Sequence, residues 1–153
     1  MNKKIAIFAI LVLGSVLLSG CSQNSVDSDK LDHQALAENS KPKVEKIEVM
    51  NFHATQRCMS CITLGKYSEE TVYEFFQPQL RDKIIEFKYV NVDLPENKEI
   101  ARKYQARGSS LYINAIYDGQ DHIEEDVRVW RLLGNEQQFK SYLKNKINSL
   151  LNK

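Results

Sequence analysis

Residues 44–61 read VEKIEVMNFHATQRCMSC, and this stretch decides the fold. Its first half is apolar on both phases of a strand, with Ile47 and Val49 on one phase and Met50 and Phe52 on the other. A strand with one wet face would alternate apolar and polar residues, so this pattern predicts a strand that is buried on both faces. Such strands are typical of α/β proteins, in which helices cover both faces of the sheet.

Two cysteines three residues apart follow this strand after a short turn. Cys58 and Cys61 stand where the strand passes into a segment with helical spacing, so Cys58 lies at the start of a helix. The unpaired N–H groups and the dipole of a helix N-terminus stabilise a thiolate, which is the reactive form of cysteine. We therefore expect Cys58 to attack and Cys61, one helical turn further on, to resolve the intermediate by closing the disulfide.

The first twenty residues predict export. Lys3 and Lys4 precede an apolar run at residues 5–18, which is too short for a membrane span and suits the core of a signal peptide. The run ends in LSGC at residues 18–21, which resembles the lipobox of bacterial lipoproteins. This resemblance implies that residues 1–20 are a cleaved lipoprotein signal peptide and that Cys21 is lipidated.

The lipid anchor determines the expected location, which is the cell envelope on the extracytoplasmic side, either periplasmic or at the cell surface. Two or more acyl chains hold a protein stably at a membrane. Residues 21–43 are polar, which predicts a lipidated flexible tether, and residues 44–153 predict one domain. Outside the cytosol a thiol pair can become oxidised and must be reduced again by a partner.

The charge of the chain argues against nucleic acid as a partner. The formal net charge is +1, and it becomes −1 when Lys3 and Lys4 are removed with the signal peptide. A nearly neutral domain lacks the basic surface of a nucleic-acid-binding protein. We therefore expect a monomer that binds no nucleic acid.

The rest of the domain alternates strands and helices. The spacing predicts a helix at residues 58–80, a strand at 84–92, a short helix at 96–104 and a third strand at 111–117. A hairpin at residues 118–119, a solvated acidic loop at 121–126, a fourth strand at 127–132 and a last helix from residue 136 follow. The predicted fold class is α/β, in the order βαβαββα, with a central mixed sheet of about four strands flanked by helices.

This order, with the cysteine pair where the first strand enters a helix, resembles the thioredoxin fold over residues 45–152. The stretch YQARG at residues 104–108 and the DG hairpin add to the resemblance, which implies a redox-active disulfide and no other cofactor. More narrowly, the chain looks like a small thioredoxin-like family labelled as a nitrophenyl compound nitroreductase subunit of arsenic operons. The stretches that carry this resemblance are FHATQRC at 52–58, NVD at 91–93, ENK at 96–98 and the region of Gly134. Nothing in the sequence resembles a flavin site, so nitroreduction by this chain does not follow.

Three positions depart from the thioredoxin pattern. Arg57 replaces the tryptophan before the first cysteine, and Asn51 replaces a buried acid. Two hypotheses for His53 are open. It could exchange protons with Cys61, or it could be a half-buried histidine without a role. Ser110 replaces a cis proline, which makes a cis bond there costly and alters the substrate-binding edge. We predict that Arg57 and Ser110 bind substrate.

The charge around the pair predicts a reducing couple. Strong oxidants differ from thioredoxin by about 150 mV, or roughly 7 kcal/mol, whereas a helix dipole supplies at most about 2 kcal/mol. Met59 and Ser60 are uncharged, and Arg57 is screened if it is exposed. We therefore expect a membrane-anchored extracytoplasmic thiol–disulfide oxidoreductase or electron relay. A membrane thiol reductase or another redox protein would recharge it.

Two other functions could use the same cysteines. Cys58, Cys61 and His53 could together bind a soft metal or metalloid, such as copper, zinc or arsenite. The pair could also be a structural disulfide in an accessory subunit. The sequence leaves these alternatives open.

Overall fold

The structure is a computed structural model that describes residues 43–153. The predicted signal peptide, the lipidation of Cys21 and all but the last residue of the tether lie outside the described residues and stay predictions. Within residues 43–153, no helix combines the length and the apolar character that crossing a membrane requires.

Strands and helices alternate along the described chain. The strands are β1 (Lys46–His53), β2 (Ile85–Asn91), β3 (Ser110–Tyr117) and β4 (Gln120–Glu125). The α-helices are α1 (Met59–Phe75), α2 (Gln77–Arg81), α3 (Lys98–Lys103) and α4 (Glu136–Leu151). Short 3-10 helices span Pro95–Asn97 and Val127–Leu132.

The strands form one mixed sheet in the order β2-β1-β3-β4. β1 runs parallel to β2 and antiparallel to β3, and β3 pairs antiparallel with β4. β1 is therefore an inner strand with a neighbour on each side. This mixed four-stranded sheet with flanking helices confirms the predicted fold class, a thioredoxin-like α/β fold.

Both faces of β1 are buried, as its sequence predicts. Ile47 and Val49 belong to the larger apolar core, which includes residues of α1 and α4, while Met50 and Phe52 belong to a second core. Burying a large apolar side chain stabilises the fold by about 1.5–3 kcal/mol. The helical residues of the larger core are Leu64, Val72, Phe139, Leu143 and Ile147, and the second core adds Ala101, Tyr104 and Tyr112.

The prediction of a fourth strand at residues 127–132 is wrong. Val127–Leu132 is a 3-10 helix, and β4 is the acidic stretch that was predicted to be a loop. Asp126 precedes the 3-10 helix, where its buried carboxylate accepts hydrogen bonds from the N–H of Arg128 at 3.2 Å and the hydroxyl of Tyr142 at 2.8 Å. A side chain that caps a helical turn in this way ends the strand before residue 127.

The single helix predicted at residues 58–80 is two helices. α1 ends at Phe75, and Phe76 leaves the helical region with φ at −127°. Pro78 then lies in the first turn of α2, where its missing N–H is not needed. The change of direction at Phe76 buries that side chain in the larger core.

Candidate active site

Cys58 and Cys61 form a disulfide at the N-terminus of α1, with their Cα atoms 5.1 Å apart. Cys58 is the N-cap residue of this 17-residue helix, and its Sγ accepts a hydrogen bond from the N–H of Cys61 at 3.2 Å. Cys58 is exposed, whereas Cys61 is half-buried. Cys58 is therefore the more accessible cysteine of the pair, and its attacking role stays a prediction.

The turn before Cys58 is attached to the end of β2. The N–H of Thr55 donates to Oδ2 of Asp93 at 2.7 Å, and Asn91 donates to the hydroxyl of Thr55 at 3.1 Å. The bond from the Thr55 N–H, followed by that from its hydroxyl, holds the pKa of Asp93 below its ordinary value. No sequence pattern predicts this attachment, because it joins polar residues that are 38 positions apart.

Arg57 folds back beneath the first turn of α1. Its Nη2 donates to the carbonyl oxygen of Cys61 at 3.0 Å, and its Cζ lies 5.5 Å from the centroid of the Tyr89 ring. Its Nε is buried without a hydrogen-bond partner among residues 43–153. The side chain is therefore not the solvent-screened cation assumed from the sequence. Substrate binding by Arg57 stays a prediction, and it would require these contacts to open.

Gly65 leaves the room that Arg57 occupies. A Cβ atom at residue 65 would lie 2.6 Å from Cε1 of Tyr89, 2.9 Å from Nη2 of Arg57 and 2.9 Å from Oδ1 of Asn51. Real Cβ atoms do not approach other heavy atoms this closely, so a side chain at residue 65 would force these three side chains to shift. The sequence alone does not predict this role of Gly65, because the side chains that approach residue 65 come from distant parts of the chain, including β1 and β2.

Asn51 lies in the C-terminal half of β1, and its Oδ1 would be 2.9 Å from a Cβ atom at residue 65. It is fully buried, it pairs with Tyr89 in the register of β1 and β2, and both its side-chain polar atoms lack a hydrogen-bond partner among the described residues. An amide does not titrate, so this buried position carries no ionisable group.

Tyr89 covers the outer side of the Arg57 guanidinium. Its hydroxyl donates to Oε2 of Glu69 at 3.1 Å. Burial, followed by the charge of Glu69, raises the pKa of Tyr89 to about 12. The ring therefore stays neutral at physiological pH and presents an uncharged π face to the cation.

His53 lies at the end of β1, where its ring packs edge-on against Tyr89 with the centroids 6.1 Å apart. Its Nδ1 is 3.0 Å from the carbonyl oxygen of Ala54, and none of its hydrogen bonds within residues 43–153 reaches a cysteine. Proton exchange between His53 and Cys61 stays a prediction.

The described residues contain no group of three or more His, Cys, Asp and Glu side chains that could hold a metal ion. The proposed set of Cys58, Cys61 and His53 is therefore not assembled as a metal centre in this structure, in which both sulfurs are in the disulfide. No observation in the described part of the chain favours the soft-metal function.

Ser110 lies at the start of β3, opposite Phe52 of β1. Its side chain is buried, and its hydroxyl donates to the carbonyl oxygen of Gly108 at 3.1 Å. The hydroxyl thus stabilises the loop before β3. Substrate binding by Ser110 stays a prediction.

The strand order, the flanking helices and the cysteine pair at the start of α1 define the class of this protein as a thioredoxin-like domain with a CxxC disulfide. No protein-family model matches the chain, and no curated protein matches its sequence. Among solved structures, the thioredoxin of Fasciola hepatica is similar to it, with 23% identity and a TM-score of 0.41 over 67% of this chain and 82% of that chain. No family or sequence match supports the narrower resemblance to the nitroreductase-subunit family.

Proposed function

We propose that this protein is a thiol–disulfide oxidoreductase or electron relay that uses Cys58 and Cys61 and acts as a reductant. The observation that carries the proposal is the asymmetry of the pair: Cys58 is exposed at the N-terminus of α1, and Cys61 is half-buried one turn further on. A structural disulfide needs no such placement, whereas a dithiol that exchanges electrons needs one accessible sulfur at a site that stabilises a thiolate.

The proposed reaction moves two electrons from the dithiol to a disulfide substrate. The thiolate of Cys58 attacks one substrate sulfur, so that a mixed disulfide forms while the substrate S–S bond breaks and its other sulfur leaves as a thiolate. Cys61 then loses its proton and attacks the sulfur of Cys58, which releases the second substrate sulfur. The substrate gains two electrons and two protons, one proton released by Cys61 and one taken from the solvent, and the protein is left with the Cys58–Cys61 disulfide.

The surface beside the pair supports a protein or peptide as the substrate. Met59 follows Cys58 and is 76% exposed, and Ile62 follows Cys61 and is 43% exposed. Large apolar side chains left in water next to a reactive group suit contact with a partner surface. The partner that recharges the pair is a membrane thiol reductase or another redox protein, as the predicted location requires.

The charges around the pair support a reducing couple. The helix N-terminus stabilises the thiolate by at most about 2 kcal/mol, and a single positive charge nearby adds on the order of 2 kcal/mol at an effective dielectric constant near 20. Together these terms fall short of the roughly 7 kcal/mol that separates thioredoxin from the strongest oxidants. Arg57 therefore makes the couple less reducing without making it a strong oxidant.

The location remains part of the proposal. Lipidation of Cys21 would tether the domain to the outside of a membrane, where a reductant must meet membrane-bound electron donors. The sequence features at residues 1–21 support this location.

Equilibration with dithiothreitol of known redox ratio tests the direction of transfer. We expect the midpoint of the Cys58–Cys61 couple near that of thioredoxin, about −270 mV, and no higher than about −180 mV. A midpoint close to that of the strong periplasmic oxidants, about −120 mV, would refute a reducing role.

A further inference from the structure

The guanidinium of Arg57 lies against the first turn of the helix that carries both sulfurs. Its Nη2 donates to the carbonyl oxygen of Cys61 at 3.0 Å, and Arg57 directly precedes Cys58 in the chain. Its positive charge therefore lies against the backbone of Cys61, in the helical turn that also carries Cys58 at its start.

This charge has no counterion among the described residues. No carboxylate within residues 43–153 forms a salt bridge with Arg57. Glu69 accepts a hydrogen bond from Tyr89 instead, and Asn51, below the guanidinium, is a neutral amide. A half-buried charge without a counterion is screened less than an exposed one, so it acts on nearby groups more strongly.

The packing around Arg57 keeps its side chain in this place. Gly65 provides the space, because a Cβ atom there would lie 2.9 Å from Nη2. The face of Tyr89 covers the guanidinium, and its Nε is buried. These contacts come from α1 and β2, so the position of the charge relative to the pair is set by two elements.

We propose that Arg57 is a positioning residue for the dithiol, which fixes the carbonyl group of Cys61 and favours the reduced pair over the disulfide through its charge. The inference rests on the proposed redox function. When a dithiol reduces the disulfide, two electrons break the Cys58–Cys61 bond and a disulfide forms in the reductant. Of the two protons that the reductant gives up, one stays on the protein and one goes to the solvent, so the protein holds one thiolate and one thiol. A nearby cation stabilises the thiolate and has little effect on the uncharged disulfide, so it raises the midpoint potential.

The test compares Arg57→Gln, which removes the charge, with Arg57→Lys, which keeps it. The equilibrium constant with dithiothreitol is measured for each variant, together with the pH dependence of the alkylation of Cys58 by iodoacetamide. We expect Arg57→Gln to shift the equilibrium about tenfold toward the disulfide, which corresponds to about 30 mV. Its alkylation at pH 6 should slow about tenfold, whereas Arg57→Lys should stay within about threefold of the wild type in both measurements.

Arg81→Gln is the matched control, because Arg81 is an exposed residue in the last turn of α2 and its loss changes the net charge equally. We expect its equilibrium constant to equal that of the wild type. Urea unfolding shows whether each variant is folded, and Arg57→Met, which keeps the aliphatic packing without the charge, takes the place of Arg57→Gln if the latter does not fold.

Two results would overturn the inference. The first is that the uncharged variant has the same equilibrium constant with dithiothreitol as the wild type. The second is that the equilibrium constant shifts equally in the uncharged variant and in Arg57→Lys, which would assign the effect to packing. If dithiothreitol does not reversibly reduce the Cys58–Cys61 disulfide of the wild type, the proposed function itself is overturned. The two failures can therefore be told apart.

Discussion

The two cysteines differ in exposure although they are one helical turn apart. Cys58 caps α1 and is exposed, and Cys61 has its N–H bonded to the sulfur of Cys58 and its carbonyl oxygen bonded to Arg57. From this difference we expect the two residues to take separate steps, because only an accessible thiolate can attack a bulky disulfide. The assignment can be tested by removing each sulfur in turn.

Replacing Cys61 by serine should trap the first intermediate. In a form of the protein that begins after Cys21, Cys61→Ser treated with oxidised glutathione should hold one glutathione per chain as a stable mixed disulfide, since no second thiol resolves it. Intact-mass spectrometry measures the adduct. Cys58→Ser is the control, and we expect its remaining thiol to react at least about tenfold more slowly. Equal rates for the two variants would contradict the assigned roles.

Replacing Gly65 by alanine should destabilise the fold. Alanine in a helix is normally better than glycine by up to about 1 kcal/mol, but here its Cβ would lie 2.6 Å from Tyr89. We expect a loss of about 1–3 kcal/mol in the free energy of unfolding, measured with urea. Gly134→Ala is the control, because no atom lies within 4 Å of a Cβ at that position. If both variants are as stable as the wild type, the expected steric clash at residue 65 is wrong.

Among the elements, β1 connects the active site with the rest of the fold. Its C-terminal half carries Asn51 and His53, and nearer its start Glu48 accepts hydrogen bonds from Tyr104 at 2.6 Å and from Asn114 of β3 at 3.1 Å. Lys46 forms a salt bridge with the same carboxylate at 3.2 Å. One carboxylate thus joins β1 to β3 and to the residue that follows α3.

The pH dependence of stability should show this connection. Burial opposes ionisation of Glu48, but the bonds from Tyr104, Asn114 and Lys46 outweigh it and hold its pKa below the ordinary 4.5. Because the folded pKa is the lower one, Glu48 stabilises the fold fully above the unfolded pKa, and this contribution is lost as the pH falls through the folded pKa. We therefore expect Glu48→Gln to cost about 1–2 kcal/mol at pH 7, as measured by urea unfolding, and progressively less below pH 4.5.

Glu96→Gln is the matched control for Glu48→Gln. Glu96 is exposed in the 3-10 helix Pro95–Asn97 and makes no hydrogen bond or salt bridge through its side chain within the described chain. Its variant should follow the wild type at every pH. A difference between Glu48→Gln and the wild type that stays constant from pH 7 to pH 3 would contradict the assignment.

The sequence predicts the elements that bury apolar residues and misses those held by polar or backbone contacts. β1 was predictable because both of its faces enter a core. β4 was not, because five of its six residues are exposed and it is held to β3 by backbone pairing and by polar contacts such as the hydrogen bond from Asn114 to Asp121. Likewise, the spacing of Cys58 and Cys61 predicts the redox pair, whereas the burial of Arg57 depends on Gly65 and Tyr89, whose roles appear only after the chain has folded.

For the whole molecule, we expect a redox domain that a lipid anchor holds at a membrane. Replacing Cys21 by alanine in the full chain, expressed in a bacterium that exports it, should remove acylation and release the protein from the membrane fraction, because a lipid chain supplies about 0.8 kcal/mol per buried CH₂. Fractionation and labelling with an alkyne fatty acid measure both effects. Ser22→Ala is the control and should remain attached. Membrane attachment of the Cys21 variant at the wild-type level would contradict the predicted anchor.

The central claim is that the pair passes two electrons to a disulfide. The most direct measurement mixes the reduced protein, free of other reductants and of oxygen, with an equimolar disulfide peptide, and counts the thiols of both at intervals. We expect two peptide thiols to appear for every Cys58–Cys61 disulfide that forms. In Cys58→Ser, we expect neither the number of peptide thiols nor the number of protein thiols to change. A peptide that keeps its disulfide while both protein thiols stay reduced would contradict the claim.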